Sequence, residues 1–320
     1  MGYSPDHMEA FGARFFRALA RGLTAAAADA ELWAATQAAA STIADRVIAG
    51  GALFLADGRG DFTSEGVGRA GGLMLLRGWS VEGGHSLGPR DTVIVGVCGD
   101  AIAGTDQDAE AALLADLAAS AAVVIHLGNI APGGSVAEHE LPLPPPATTL
   151  FGAETYPFVS LLNISWLWVL TAEIVAALSR RREMPAMYQS IQNLGSTERN
   201  ERARDGADPR GLCTTHSVPP VPPEQLGRQY LAALLSSLCA LETTEADAVE
   251  AAAAHCAAAV SAGRRVFPFL ISHFPPHQWG CPGDPMLMQP PVSSDFSSQR
   301  PCPLFVLATT TLTATCISSR

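Results

Sequence analysis

One passage of this chain occurs twice. Residues 36–56 (TQAAASTIADRVIAGGALFLA) and 249–269 (VEAAAAHCAAAVSAGRRVFPF) align without a gap at an offset of 213. Eight of the 21 positions are identical, but five of those are Ala, so the order of events says more than the identity. Each copy runs from an Ala-rich helical stretch through Val47 or Val260 to Ala-Gly (Ala49-Gly50, Ala262-Gly263), then into a short apolar run. Gly after the last turn adopts the left-handed conformation that ends a helix, and the apolar run reads as a buried strand. An αβ unit used twice predicts a duplicated α/β architecture.

The rest of the first half fits that plan. Residues 8–48 read as two helices, with Asp29 placed to cap the second. Ala52–Ala56 forms a first strand, Asp57-Gly58-Arg59-Gly60-Asp61 a Gly-rich turn, and Thr63–Leu76 a helix interrupted by Gly66, Gly68, Gly71 and Gly72. Thr92–Cys98 (TVIVGVC) is apolar enough to be covered on both faces, as parallel strands are. Thr105 and Asp108 have capping-box spacing ahead of a helix over Ala109–Ser120. Ala122–Leu127 is a third strand, Thr148–Phe151 a fourth, and a long helix around 156–181 closes the unit. Such alternation predicts a doubly wound parallel sheet with helices on both faces. Phe158–Leu178 is the one membrane candidate, but Ser160, Asn163, Ser165, Thr171 and Glu173 make it a buried core helix instead.

Composition narrows the chemistry. All 20 basic residues are Arg, and the absence of Lys excludes a Schiff-base lysine, a pyridoxal-phosphate lysine and a P-loop Lys. A net charge of −11 argues against a nucleic-acid partner. The seven Cys are odd in number and never form CxxC; with no N-terminal signal peptide, reduced thiols in the cytoplasm are expected. No cofactor and no metal are expected. His273, His277 and Cys281 have H-x3-H-x3-C spacing, but Pro275-Pro276 breaks the helix that would align them. Gly58–Thr63 starts like a dinucleotide fingerprint and lacks its third Gly.

Gly50-Gly51, an apolar strand, a Gly-rich turn and Arg69-Ala70-Gly71-Gly72 together resemble the SIS (sugar isomerase) domain; Gly88-Pro89-Arg90-Asp91 before TVIVGVCG is similar to that family's second strand. The resemblance covers about residues 30–180, and 230–285 for the opening of a second copy. It implies a flavodoxin-like α/β domain over 1–182 and a partial second unit over 229–285; composition reads 183–228, rich in Arg, Asp, Asn and Pro, as an arm or linker, and 286–320, rich in Pro, Ser and Thr, as a low-complexity tail that is not expected to fold. It also implies a homo-oligomer binding a phosphosugar or related carbohydrate derivative. The ligand would sit at Gly58, Arg59, Gly60, Asp61, Thr63, Ser64, Cys98, Gly99 and Asp100, with Ser272 and His273 as the second copy's contribution. In the family such loops hold phosphate with hydroxyls and backbone N–H groups. Here the loops carry Asp57, Asp61 and Asp100, which repel phosphate unless Arg59 or a metal compensates.

An aldose–ketose isomerase needs a base to move a proton between neighbouring carbons. Glu65 and His85 are the candidates; the plainer readings are a first-turn acid favoured by the helix dipole and an ordinary exposed loop His. His126, at the end of a buried strand, reads first as a hydrogen-bonded core residue. Three forms of the protein therefore stand as expectations: a sugar-phosphate isomerase, a non-catalytic sugar-phosphate sensor, and a structural dimerisation module.

Overall fold

The computed structural model describes residues 11–99, 105–129, 137–144, 156–191, 193–213, 218–264, 266–270 and 304–307. These divide into two compact units, one within residues 18–236 and the other within 1–17 and 237–320.

The first unit is built on five parallel strands: β1 (Leu53–Ala56), β2 (Leu76–Gly78), β3 (Thr92–Val97), β4 (Val123–Gly128) and β5 (His139–Pro142), in the order β2-β1-β3-β4-β5. This is the flavodoxin-like order of a doubly wound α/β sheet, as the alternation predicts. Every residue of β3 and β4 is buried, because both faces are covered. Phe54, Ala56, Val93, Val95, Val97 and Val124 pack on one face with Leu113 and Leu117 of helix α4 (Thr105–Ala119). The alternate residues, among them Leu55, Ile94 and Ile125, point the other way. There lie α2 (Ala30–Ile48), α3 (Asp61–Gly66) and α5 (Tyr156–Arg180).

The stretch Phe158–Arg180 of α5 is long and apolar enough to cross a membrane, and 72% of it is buried inside the protein. It is a core helix. The Trp166 and Trp33 rings lie 5.4 Å apart, and the fully buried Glu173 accepts from Gln37 Nε2 and from the N–H groups of Glu224 and Gly227. That carboxylate thereby caps helix α7 (Gln225–Ala240).

Three expectations change. The helix expected over Thr63–Leu76 ends at Gly66, because Gly68 and Gly71 both take positive φ; the chain then forms β2 instead. The fourth strand proposed at Thr148–Phe151 lies outside the described residues, and the described edge strand is β5, whose His, Glu and Pro hid it. Within residues 183–228, read as an arm or linker, the stretch 186–188 pairs with the RAGG loop of the same unit. Gly71 N donates to the Tyr188 carbonyl (2.7 Å), Tyr188 N to the Gly72 carbonyl (3.0 Å) and Met74 N to the Ala186 carbonyl (2.8 Å).

In the second unit, Gly12 N donates to Glu250 of α8 (Ala246–Ser261), and Arg17 pairs with Glu242 at 2.6 Å. Strand β6 (Phe267–Leu270) pairs in parallel with β7 (Leu304–Leu307). Thus the four described residues of the 286–320 tail are a strand.

The two copies of the repeated passage end their helices in one way. Ala49 N and Ala262 N donate four residues back, Gly50 N donates to Val47, and Gly263 N to Val260. Gly50 and Gly263 take φ of 86° and 66°. Gly51 N and Arg264 N then close the larger ring to Arg46 and Ala259, completing the Schellman pattern.

Candidate functional site

In a doubly wound sheet the ligand crevice opens beyond the carboxyl ends of the strands where the strand order reverses, here between β1 and β3. Asp57, Gly58, Arg59, Asp61, Phe62, Gly96, Cys98, Glu110, Ser160 and Asn163 surround that point. Gly96 has no side chain because Phe62 lies over it: a Cβ there would stand 2.6 Å from the ring.

The backbone donors at both strand tips converge on carboxylates of the chain itself. Cys98 N and Gly99 N donate to the two oxygens of Glu110 at 2.7 and 2.8 Å. Phe62 N and Thr63 N donate to Asp57 at 3.3 and 3.0 Å, and the Thr63 hydroxyl donates to it as well. These carboxylates accept from the loop N–H groups that the sequence offered to a phosphate. The free space left between these groups is about 10 Å³, enough for one water.

Crowding three acids at one crevice has an electrostatic cost. Burial, then the hydrogen bond and charge of Asp57, push the Asp61 carboxyl up to about 6, although Arg59 lies 3.8 Å away and opposes the shift. Burial also raises Glu110 above the usual carboxylate range, against the pull of its two N–H donors. Burial and the Glu110 charge together hold the Cys98 thiol far above its ordinary value, so it is an unreactive sulfhydryl. Asn163 Nδ2 donates to the Val97 carbonyl (3.0 Å), while its buried Oδ1 has no hydrogen-bond partner among the described residues.

Of the residues expected at the site, Gly58, Arg59, Asp61 and Cys98 line the crevice, and Gly99 supplies one of its N–H groups. Gly60 turns the chain into α3 with φ 85°. The hydroxyls of Thr63 and Ser64 bond to Asp57 and to the Asp61 carbonyl, within their own loop and helix. Glu65 and His85 do not join them. Glu65 holds Arg69 at 2.6 Å, and the His85 ring stacks on Phe54 with its Nε2 3.7 Å from Asp91, which precedes β3 at its amino end. His126 is buried in β4, and burial holds its pKa below the usual imidazole value. Asp100, Ser272 and His273 lie outside the described residues, as do His277 and Cys281. Among the described residues no cluster of three or more His, Cys, Asp or Glu is arranged to hold a metal ion.

Glu110 and Asn163 were not anticipated, yet Glu110 left a signal. It precedes Leu113 and Leu117 by three and seven residues, which places a carboxylate on the buried stripe of α4. Two further cavities lie elsewhere in this unit. One, of about 310 Å³, sits at the amino ends of β1 and β2; the other, of about 510 Å³, is lined by Met184–Met187 together with Arg199, Arg202 and Cys213. No protein-family model matches the chain, and no curated protein does.

Proposed function

We propose that this chain is a non-catalytic, SIS-like module whose switch-point crevice is an anion cradle held shut by its own Glu110. A phosphosugar or related carbohydrate derivative would enter by displacing that carboxylate. One observation carries the reading: two consecutive N–H groups at the tip of β3 already converge on a carboxylate that burial makes uncomfortable. Amides aimed this way receive an anion from whichever source offers the better free energy. An occupant supplied by the protein itself lowers affinity by the cost of its displacement, which suits a sensor of abundant ligand more than an enzyme. The absence of catalysis rests on Glu65 and His85, each of which has a partner away from the crevice. A homo-oligomer in the cytoplasm completes the proposal.

Thermal unfolding in millimolar glucose 6-phosphate and fructose 6-phosphate tests it. The native chain should shift weakly and Glu110→Gln strongly, with no interconversion of the two sugars by either. Turnover would overturn the non-catalytic reading. Equal absence of a shift in both proteins would overturn the cradle. That second outcome belongs to the structural module without a ligand, the reading favoured by the single-water volume of the crevice.

A further inference from the structure

The cavity at the opposite end of the sheet has the reverse chemistry. Gly50, Gly51, Ala52 and Leu53 lead into β1 on one side of it, and Met74, Leu75 and Arg77 belong to the approach and body of β2. The rest of its wall comes from the end of helix α6 (Ser196–Asp205) and the turn after it, with Arg204, Asp208 and Arg210. Its volume of about 310 Å³ lies in the range of small-ligand sites.

Its charge inverts that of the molecule. The chain carries −11, yet this wall sets three guanidinium groups against one carboxylate. Asp208 is committed to Arg210, whose Nε and Nη2 reach it at 2.8 and 2.5 Å. Arg210 Nη1 is committed too, donating to the Ile48 carbonyl at 3.2 Å. The side chains of Arg77 and Arg204 are exposed and make no hydrogen bond or ion pair with any described residue. Two planar cations whose donors meet no described acceptor, on the wall of one cavity, suit a ligand that accepts from both. Gly51, which borders the cavity, has no room for a Cβ, because that atom would overlap the Arg90 carbonyl.

We infer that this cavity binds a compact dianion, such as a phosphate group or a small dicarboxylate, between Arg77 and Arg204. The Asp208–Arg210 pair forms the fixed edge of the site and leaves the other two guanidiniums to the ligand. The site is separate from the Glu110 crevice, since its residues lie at the amino ends of the strands and the crevice residues at the carboxyl ends.

The test is titration of the full chain with inorganic phosphate, and separately with succinate, against sodium chloride at matched ionic strength, read by thermal shift and calorimetry. Saturable binding beyond the chloride control is expected, weakened about tenfold by Arg77→Gln and about tenfold by Arg204→Gln. Both side chains are exposed and unpaired, so both variants should melt like the native chain without ligand. Preference for phosphate or for succinate identifies which source of the dianion the site suits. Absence of saturable binding, or binding that both variants retain in full, overturns the inference. So does binding that responds to Glu110→Gln alone, which would assign the anion to the switch-point crevice.

Discussion

The two ends of the five-stranded sheet meet the same physical problem in opposite ways. At the carboxyl ends, backbone N–H groups left over by β3 and α3 are satisfied by Glu110 and Asp57, and the space between them closes to the size of one water. At the amino ends, a cavity about thirty times larger stays open and two guanidiniums on its wall lack partners among the described residues. The difference lies in where the counter-charge comes from. Acids on an adjacent loop and helix reach the first set of donors, whereas the acids beside the second, Asp208 and Glu183, both lie against Arg210. A fold-level rule that places ligands at the carboxyl ends thus locates the donors but says nothing of whether the protein fills them itself.

Glycines at each end give the sharpest test of how firmly the two are built. Gly51→Ala drives a methyl into the Arg90 carbonyl and towards that of Arg46, and neither backbone can yield without moving β3 or α2. Chemical denaturation should show a loss of about 3 kcal/mol or more. Gly96→Ala presses on the root of the buried Phe62 ring, a side chain that shifts more readily than a backbone carbonyl, so a loss of about 2 kcal/mol is expected. Equal losses would mean that the carboxyl end is as rigid as the amino end, and that Glu110 has no room to swing out.

Glu110→Leu probes the same end by a different route. It strands the Cys98 and Gly99 N–H groups in a buried position, at about 1–3 kcal/mol each, less the relief of removing a carboxylate that burial disfavours. A net loss of about 3 kcal/mol is expected in urea unfolding, and a smaller one for Glu110→Gln, which keeps an acceptor. Identical losses would show that these amides find other partners once the carboxylate is gone.

The acid cluster should also be visible in the pH profile. Asp61 binds its proton more tightly folded (about 6) than unfolded (near 3.8). Its contribution to stability is therefore greatest below pH 4 and is lost as pH rises through 6. Asp91 works the other way: burial would raise it, but the N–H groups of Gly88 and Ala52 hold its carboxyl below the usual range. The clean measure is thus the difference between Asp61→Asn and the native chain. The Asp61→Asn variant should be more stable by about 1–2 kcal/mol at pH 7, and the advantage should vanish by pH 4. A constant difference across that span would mean that neither burial nor Asp57 raises the Asp61 carboxyl.

What the sequence displays of this architecture follows from what its residues do locally. Strands β3 and β4 are legible because covering both faces demands an unbroken apolar run. The ends of α2 and α8 are legible because Gly50 and Gly263 take the same left-handed conformation. Strands β2 and β5 are not, since three residues of Leu-Arg-Gly and a His-Glu-Leu-Pro edge gain their order from hydrogen bonds to β1 and β4. The site divides in the same way. Gly58, Arg59, Asp61 and Cys98 are visible from the loops that follow apolar strands, but Glu110 arrives from a helix whose packing only tertiary structure reveals. The pairing of Gly71 and Gly72 with Tyr188 spans more than a hundred residues, so the RAGG sequence discloses a bend without its partner.

The smallest expected effect concerns the residue best placed by sequence to act as a base. Glu65 pairs with Arg69 one turn along and is partly exposed, an arrangement worth about 0.3–0.5 kcal/mol. Glu65→Gln should lower stability by no more than that and leave phosphosugar-induced shifts in melting temperature unchanged. If Glu65→Gln instead abolishes those shifts while the unliganded protein melts normally, Glu65 reaches the ligand. The carboxyl end would then hold a second acid released from its partner when the cradle opens, and the contrast between a self-filled end and an open one would describe only the empty protein.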